Sequence, residues 1–395
     1  MNAGGQIPGP DNIAAGIKPD PRADALAASY ERAGYRRLFP AVLQPAEPFL
    51  DLSGEDIRKR MFLTTAPGGA EFCLRPDLTI PISLAYLGSG DAGRAAGFSY
   101  LGPVFRHRPG TSGEVMQAGV ESYGRTDTAA ADAEMLALGL EAVTQYGLAK
   151  PSIQTGDVAL FAALIEALDL YPVWKRRLMK DFNRKVSLTH DLDRLTLAES
   201  PVRNEYEGVL AALAGSDRKA ALALVTDLMS IAGATNVGGR SVAEIADRFL
   251  EQSTLKGGAL PKDALVLIKR FLGISGDPDD ALQQLRKLAS DAKLNITAAI
   301  DEFESRIGFM AARGIDTTKT RFSTSFGRGV DYYTGFEFEL HRKGNGTEPL
   351  VAGGRYDGLL TQLGSATPIP AVGFSVWIET LTQHASSALV SGSAS

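Results

Sequence analysis

Four segments of this 395-residue chain hold polar and glycine residues more densely than a scaffold requires. In Cys73-Leu74-Arg75-Pro76-Asp77-Leu78-Thr79 an acid and a hydroxyl follow a strand-like run where a helix begins. They read as part of a polar site, or as a plain N-cap formed by Asp77 for a helix starting near Thr79. Phe105-Arg106-His107-Arg108-Pro109-Gly110 is a basic strand end and loop, either a binding surface or ordinary solvated charge. In Val115 to Gly124, strand alternation puts Gln117, Gly119 and Glu121 on one face and Met116, Ala118 and Val120 on the other. With the apolar face on the core, an amide and a carboxylate project over a glycine gap wide enough for a small ligand; a merely wetted sheet face has the same pattern. The fourth segment pairs Gly327-Arg328-Gly329-Val330-Asp331-Tyr332-Tyr333-Thr334-Gly335 with Ala352-Gly353-Gly354-Arg355-Tyr356-Asp357-Gly358. Glycine admits close approach, arginine offers a planar fork to carboxylate or phosphate, and tyrosine supplies a hydroxyl and a ring wall.

Other chemistries lack their parts. Neither GxGxxG nor GxxxxGK[ST] occurs, which disfavours nucleotide binding by those loops, and there is no GxSxG elbow, no HExxH and no metal-type carboxylate cluster. One cysteine, Cys73, and four scattered histidines make a zinc site improbable and an internal disulfide impossible. No apolar run is long enough to span a membrane and the N-terminus does not read as a signal peptide, so the expected compartment is the cytoplasm. A formal net charge of -5 argues weakly against nucleic-acid binding by overall charge.

These residues need elements to position them. Residues 1–20 read as a flexible leader and 386–395 as a flexible tail. From Asp24 the spacing predicts an amphipathic helix closed by Gly34, with Leu38-Phe39-Pro40 entering an extended segment. From Met61 to about Gly156 short apolar runs predict strands, interrupted by helices near Ile80 to Leu87 and Ala130 to Tyr146. Residues 157–314 have helical spacing nearly throughout, as in EYEGVLAALAG and SVAEIADRFLEQ; strands return in RFSTSFGR, FEFELHRK and AVGFSVWIETL. One α+β domain, 21–156 and 315–385, carrying a helical insertion over 157–314, accounts for this order. Within the insertion, Lys175, Arg176, Arg177, Lys180, Arg184 and Lys185 accompany Trp174, Leu178 and Phe182 at spacing four, which reads as a solvated helix face, or as an anion or partner site.

The four segments, in this order, resemble histidyl-tRNA synthetase, a class II aminoacyl-tRNA synthetase. LGPVFRHRPG with MQAGVESYG is similar to motif 2 and the strand after it; GRGVDYYTG and AGGRYDGLL resemble the two histidine-specific signatures, and AVGFSVWIETL resembles motif 3. The likeness implies an antiparallel sheet flanked by helices and a histidine pocket. By position, Asp77 (where the synthetases usually have Glu), Thr79 and Gln117 would hold the α-ammonium. Glu121 and Tyr333 would hold the imidazole nitrogens, Tyr332 and Tyr356 would shape the pocket, and Arg328, with Arg106, would face the carboxylate.

Two departures bear on activity. Thr380 stands where motif 3 has an Arg that clamps ATP, and Arg108 stands where motif 2 has Glu. Adenylation depends on positioned charge, so catalysis is not expected. The chain also stops where the synthetase's anticodon-binding domain would begin, so no tRNA is expected. Keeping the amino-acid half of the site and losing the ATP half resembles the regulatory subunit of ATP phosphoribosyltransferase. That likeness implies a hetero-oligomer with a short-form catalytic subunit in histidine biosynthesis, L-histidine as ligand and feedback effector, and no cofactor. By analogy with class II folds, a dimer would form through the segment around Arg36 to Leu43.

Overall fold

A computed structural model of the chain describes residues 20–53, 55–148, 150–182, 260–342 and 348–392, with 188 and 223 singly. Its main element is a nine-stranded sheet. Alternation in β6 (Glu114–Tyr123) sends Ala118 and Val120 into the apolar core and leaves Gln117 and Glu121 on the opposite face. The central strands are antiparallel: β5 (Ala96–Phe105), β6, β12 (Ala371–Trp377), β11 (Val351–Arg355), β10 (Phe336–His341) and β7 (Ser152–Asp157). At the edges, β1 (Arg36–Arg37) pairs with β5 and β9 (Thr320–Ser323) with β7 in parallel, so the expected antiparallel sheet is mixed at its margins. The outermost strand, β8 (Ser275–Gly276), lies antiparallel to β9. A separate antiparallel sheet orders β2 (Leu43–Pro45), β4 (Glu71–Leu74) and β3 (Phe62–Thr65).

Two helices cover one face of the large sheet. α1 (Pro21–Arg32) buries Leu26, Ala27 and Tyr30, and α2 (Thr128–Gln145) buries Met135, Leu136 and Val143; the cluster they join includes Val120, Phe338 and Phe374 from the strands. Apolar spacing of three and four residues produces that face in both. Asp20 caps α1, accepting the Arg22 amide at 2.9 Å. The helix α3 (Thr297–Ala312) packs beside α2, and Arg306 from it is buried between two acids, donating to Asp132 at 2.9 Å and Asp157 at 2.7 Å. Arg355 reaches the same Asp132 at 2.6 Å and Asp357 at 2.9 Å. Each charge in this cluster thus meets an opposite one.

The structure departs from several expectations. Two compact units divide the chain, 1–163 with 271–395, and 164–270, against expected bounds of 157–314 for the inserted segment. Helical spacing identifies α3 as a helix but not its partner; Met310 packs in the core cluster and Arg306 pairs with Asp132. The segment after Trp377 is the helix Ile378–Gly392 rather than strand, and it enters the expected flexible tail at 386–392. Leu381 and Ala385 are buried on its first turns, and a nucleated helix extends at little cost. Strand β1 covers only Arg36 and Arg37, and the Leu38 amide extends its pairing by one hydrogen bond, to the Ser99 carbonyl at 2.9 Å. In the second unit the helix Pro172–Phe182 buries Trp174, Leu178 and Phe182 and leaves Arg176 and Lys180 exposed, the solvated-face pattern. Lys175 pairs with Glu166 at 2.8 Å. Arg184, Lys185, the helices expected in EYEGVLAALAG and SVAEIADRFLEQ, and residues 1–19 lie outside the described residues.

Candidate functional site

One cavity gathers residues far apart in sequence. Asp77 and Thr79 come from the start of the helix Thr79–Leu87, Arg106 from just beyond β5, and Gln117 from β6. The loop before β10 supplies Arg328, Tyr332 and Tyr333, and Tyr356 follows β11. The floor is β12 from Gly373 to Ser375, with Trp377; Ile57 and Val330 add apolar wall.

The cavity has acceptors to spare. The N-cap position of this helix is Leu78 rather than Asp77, whose Oδ1 still accepts the Ile80 amide at 3.2 Å, but Asp77 Oδ2 and Gln117 Oε1 are buried without a partner among the described residues. The Thr79 hydroxyl donates to Glu121 at 2.8 Å and keeps its lone pairs. Three acceptors in one cavity lining match the three N–H donors of an ammonium group. Burial raises the Asp77 carboxyl above its usual range, and the nearby Arg106 charge opposes this. A bound cation would lower it.

Two guanidinium groups line the same cavity. Arg106 Nε donates to the Pro76 carbonyl at 2.7 Å. Arg328 donates through Nη1 to the Tyr333 hydroxyl at 2.7 Å and through Nε to Glu339 at 3.2 Å, with its guanidinium 5.6 Å from the Tyr333 ring and 6.0 Å from that of Trp377. Its Nη2 makes no hydrogen bond to the described residues. Orphaned acceptors and guanidinium groups lining one cavity suit a small zwitterion.

Glu121 is placed differently from expectation. It stands behind the cavity wall rather than in it, receiving hydrogen bonds from Thr79 and Tyr356, with the Tyr100 hydroxyl 3.4 Å away. Burial pushes its carboxyl up to about 8, against the hydrogen bonds from Tyr356 and Thr79. A Cβ at Gly373, opposite it in register, would collide with its Oε2, so this glycine makes room for the acid. Nor is the gap over Gly119 open to a ligand: the Tyr100 hydroxyl and the Phe374 carbonyl fill it. Strand alternation identifies the glycine but not the side chain arriving from the neighbouring strand.

Arg355, read from sequence as a ligand fork, is committed to Asp132 and Asp357. Arg108 pairs with Glu348 at 3.1 Å in an exposed contact, and Thr380 sits in the helix after β12. Sequence reasoning missed Tyr100, Ser375 and Trp377, which lie in ordinary strand patterns, and two acids of β10. Glu337 accepts the Arg328 amide at 2.7 Å, and Glu339 holds that residue's guanidinium. The alternation Glu337, Glu339, His341 within an apolar strand was the available signal.

Comparison with known proteins adds an independent observation. The family model for histidyl-tRNA synthetase matches residues 22–237 and 247–381. The ATP phosphoribosyltransferase regulatory subunit of Mesorhizobium japonicum is 40% identical over 344 residues, 86% of this chain and 90% of that one. That of Sinorhizobium medicae is 37% identical over 363 residues, 91% and 96% of the two chains. Among solved structures, an ATP phosphoribosyltransferase regulatory subunit/histidyl-tRNA synthetase from Bacillus halodurans superposes with a TM-score of 0.62 at 21% identity, covering 92% of this chain and 77% of that one. Histidyl-tRNA synthetase from Nostoc gives a TM-score of 0.58 at 17% identity, covering 94% and 71%. At these identities the structural likeness concerns the fold.

Proposed function

The chain belongs to the family of ATP phosphoribosyltransferase regulatory subunits, within the wider histidyl-tRNA synthetase family, and from this premise we propose that it is the non-catalytic subunit of such a complex, activating a short-form catalytic subunit in the first step of histidine biosynthesis. In this reading the cavity binds L-histidine and mediates feedback. One observation carries the choice of an amino acid: two orphaned acceptors, Asp77 Oδ2 and Gln117 Oε1, stand in the same cavity as Arg106 and Arg328. The ammonium lies at Asp77, Thr79 and Gln117, and the carboxylate at Arg328 with Arg106. The imidazole lies among Tyr332, Tyr333 and Tyr356, with Glu121 acting through Thr79 and Tyr356. Such a pocket rejects analogues that leave a buried polar group unpaired, at about 1–3 kcal/mol each.

Loss of adenylation is supported by Arg108, whose guanidinium pairs with Glu348, and by Thr380 in place of an ATP-clamping Arg. Regulation then requires histidine and the catalytic subunit to prefer different quaternary states, for which a coupling of about 1–3 kcal/mol suffices. Self-association through the segment around Arg36 to Leu43 completes the assembly. Calorimetry with the purified chain tests the pocket: histidine binds, ATP does not, and Glu121→Ala weakens histidine about tenfold or more. Tight ATP binding with histidine-dependent pyrophosphate exchange would instead identify an active synthetase, and unchanged affinity in Glu121→Ala would move histidine elsewhere.

A further inference from the structure

Arg328 is held from two directions by acids that do not line the cavity. Glu337, 1% exposed, accepts the Arg328 backbone amide through Oε2 at 2.7 Å, while its Oε1 has no partner among the described residues. Two residues along the same face of β10, Glu339 takes Arg328 Nε at 3.2 Å through one oxygen, and its other oxygen lies 3.0 Å from His341 Nε2. The backbone grip fixes where the loop delivers Arg328; the side-chain grip fixes the plane of the guanidinium. With Nη1 on Tyr333, only Nη2 of the guanidinium remains uncommitted among the described residues.

We propose that Glu337 is a positioning residue for ligand recognition: by clamping the Arg328 amide, with Glu339 orienting the guanidinium, it makes the cavity selective for ligands that carry a carboxylate. The inference rests on the amino-acid reading of the site and extends it to what sets carboxylate specificity. An unclamped arginine of this length samples many rotamers, and a charge-assisted hydrogen bond to a carboxylate is strong only when the planar fork is presented in register. Charge is also shared out suitably. Burial alone would raise Glu339, but the hydrogen bond from His341 and the charge of Arg328 outweigh it and hold this carboxyl below its ordinary value, whereas burial pushes Glu337 up to about 8, toward its neutral form. One anion therefore balances Arg328 without surrounding it, leaving the guanidinium electropositive toward a second carboxylate.

The test compares L-histidine with histidinol, in which a hydroxymethyl group replaces the carboxylate, on the full chain and its Glu337→Val, Glu337→Gln and Glu339→Gln variants. Histidine affinity is expected to fall about tenfold in Glu337→Val and several-fold in Glu339→Gln, with histidinol little changed. Glu337→Gln, whose amide oxygen still accepts the Arg328 N–H, should restore the preference. Equal losses for both ligands would mean ordinary structural damage and overturn the proposal, as would an unaltered preference in both Glu337→Val and Glu339→Gln. Hydrogen exchange at the Arg328 amide is the ligand-independent arm: faster exchange in Glu337→Val but not Glu337→Gln is expected, and unchanged exchange rejects the clamp. Should wild-type protein bind neither ligand, the amino-acid reading fails and the exchange measurement still decides the clamp. If Glu337→Val does not fold, Glu339→Gln carries the comparison alone.

Discussion

Glu121 and Glu337 are both glutamates that burial pushes up to about 8, for different local reasons. Three hydroxyl groups surround Glu121; Glu337 faces Arg328, Glu339, Asp157 and Tyr333. Their linkage to stability has one sign. Between the ordinary glutamate value, about 4.3, and about 8, the unfolded chain has lost the proton and the folded chain keeps it, so stability falls as pH rises through that window. A glutamine at position 337 does not titrate. The thermal midpoint of Glu337→Gln relative to wild type should therefore climb as pH goes from 5 to 8; a pH-independent difference would show that Glu337 is ionised in the fold. The types at Asp77, Thr79, Arg106, Gln117 and Arg328 were legible in the motifs. The shielding of Glu121 was not, because it depends on a hydroxyl from β5 crossing over Gly119.

Among elements, α3 is attached to the sheet unit by a charge as well as by apolar packing. Arg306 is 3% exposed and bridges Asp132 of α2 to Asp157 at the end of β7, where Asp157 also caps the following helix by accepting the Ala159 amide at 2.8 Å. Removing one member of a buried cluster leaves uncompensated charge. Arg306→Met should cost about 3–5 kcal/mol in urea unfolding, while the exposed pair Arg286–Glu304 should contribute no more than about 1 kcal/mol when broken. Equal effects would contradict the burial argument. Periodicity located α1, α2 and strands such as β5, β6 and β10 within a few residues but not β8 or β11, and it identified α3 as a helix without its partner, because an amphipathic stripe specifies a buried face without naming what buries it.

For the whole molecule, the proposed self-association predicts where a charge would be disruptive. Phe39, Leu43 and Leu63 are 75%, 48% and 54% exposed, beside or within the small sheet. Leu43→Glu should shift sedimentation from dimer to monomer without lowering the thermal midpoint of the monomer; an unchanged dimer would place the interface elsewhere. By itself the sequence determined the residue chemistry, the order of strand-rich and helix-rich regions, and the family resemblance, because these are encoded in local spacing and in motifs whose residue types chemistry restricts. Tertiary structure alone decided which polar atoms remain unpaired. Among the described residues Asp77 Oδ2 and Gln117 Oε1 are without partners while Glu121 and Arg355 are fully engaged, and hydrogen-bond satisfaction depends on side chains brought together from residues hundreds of positions apart.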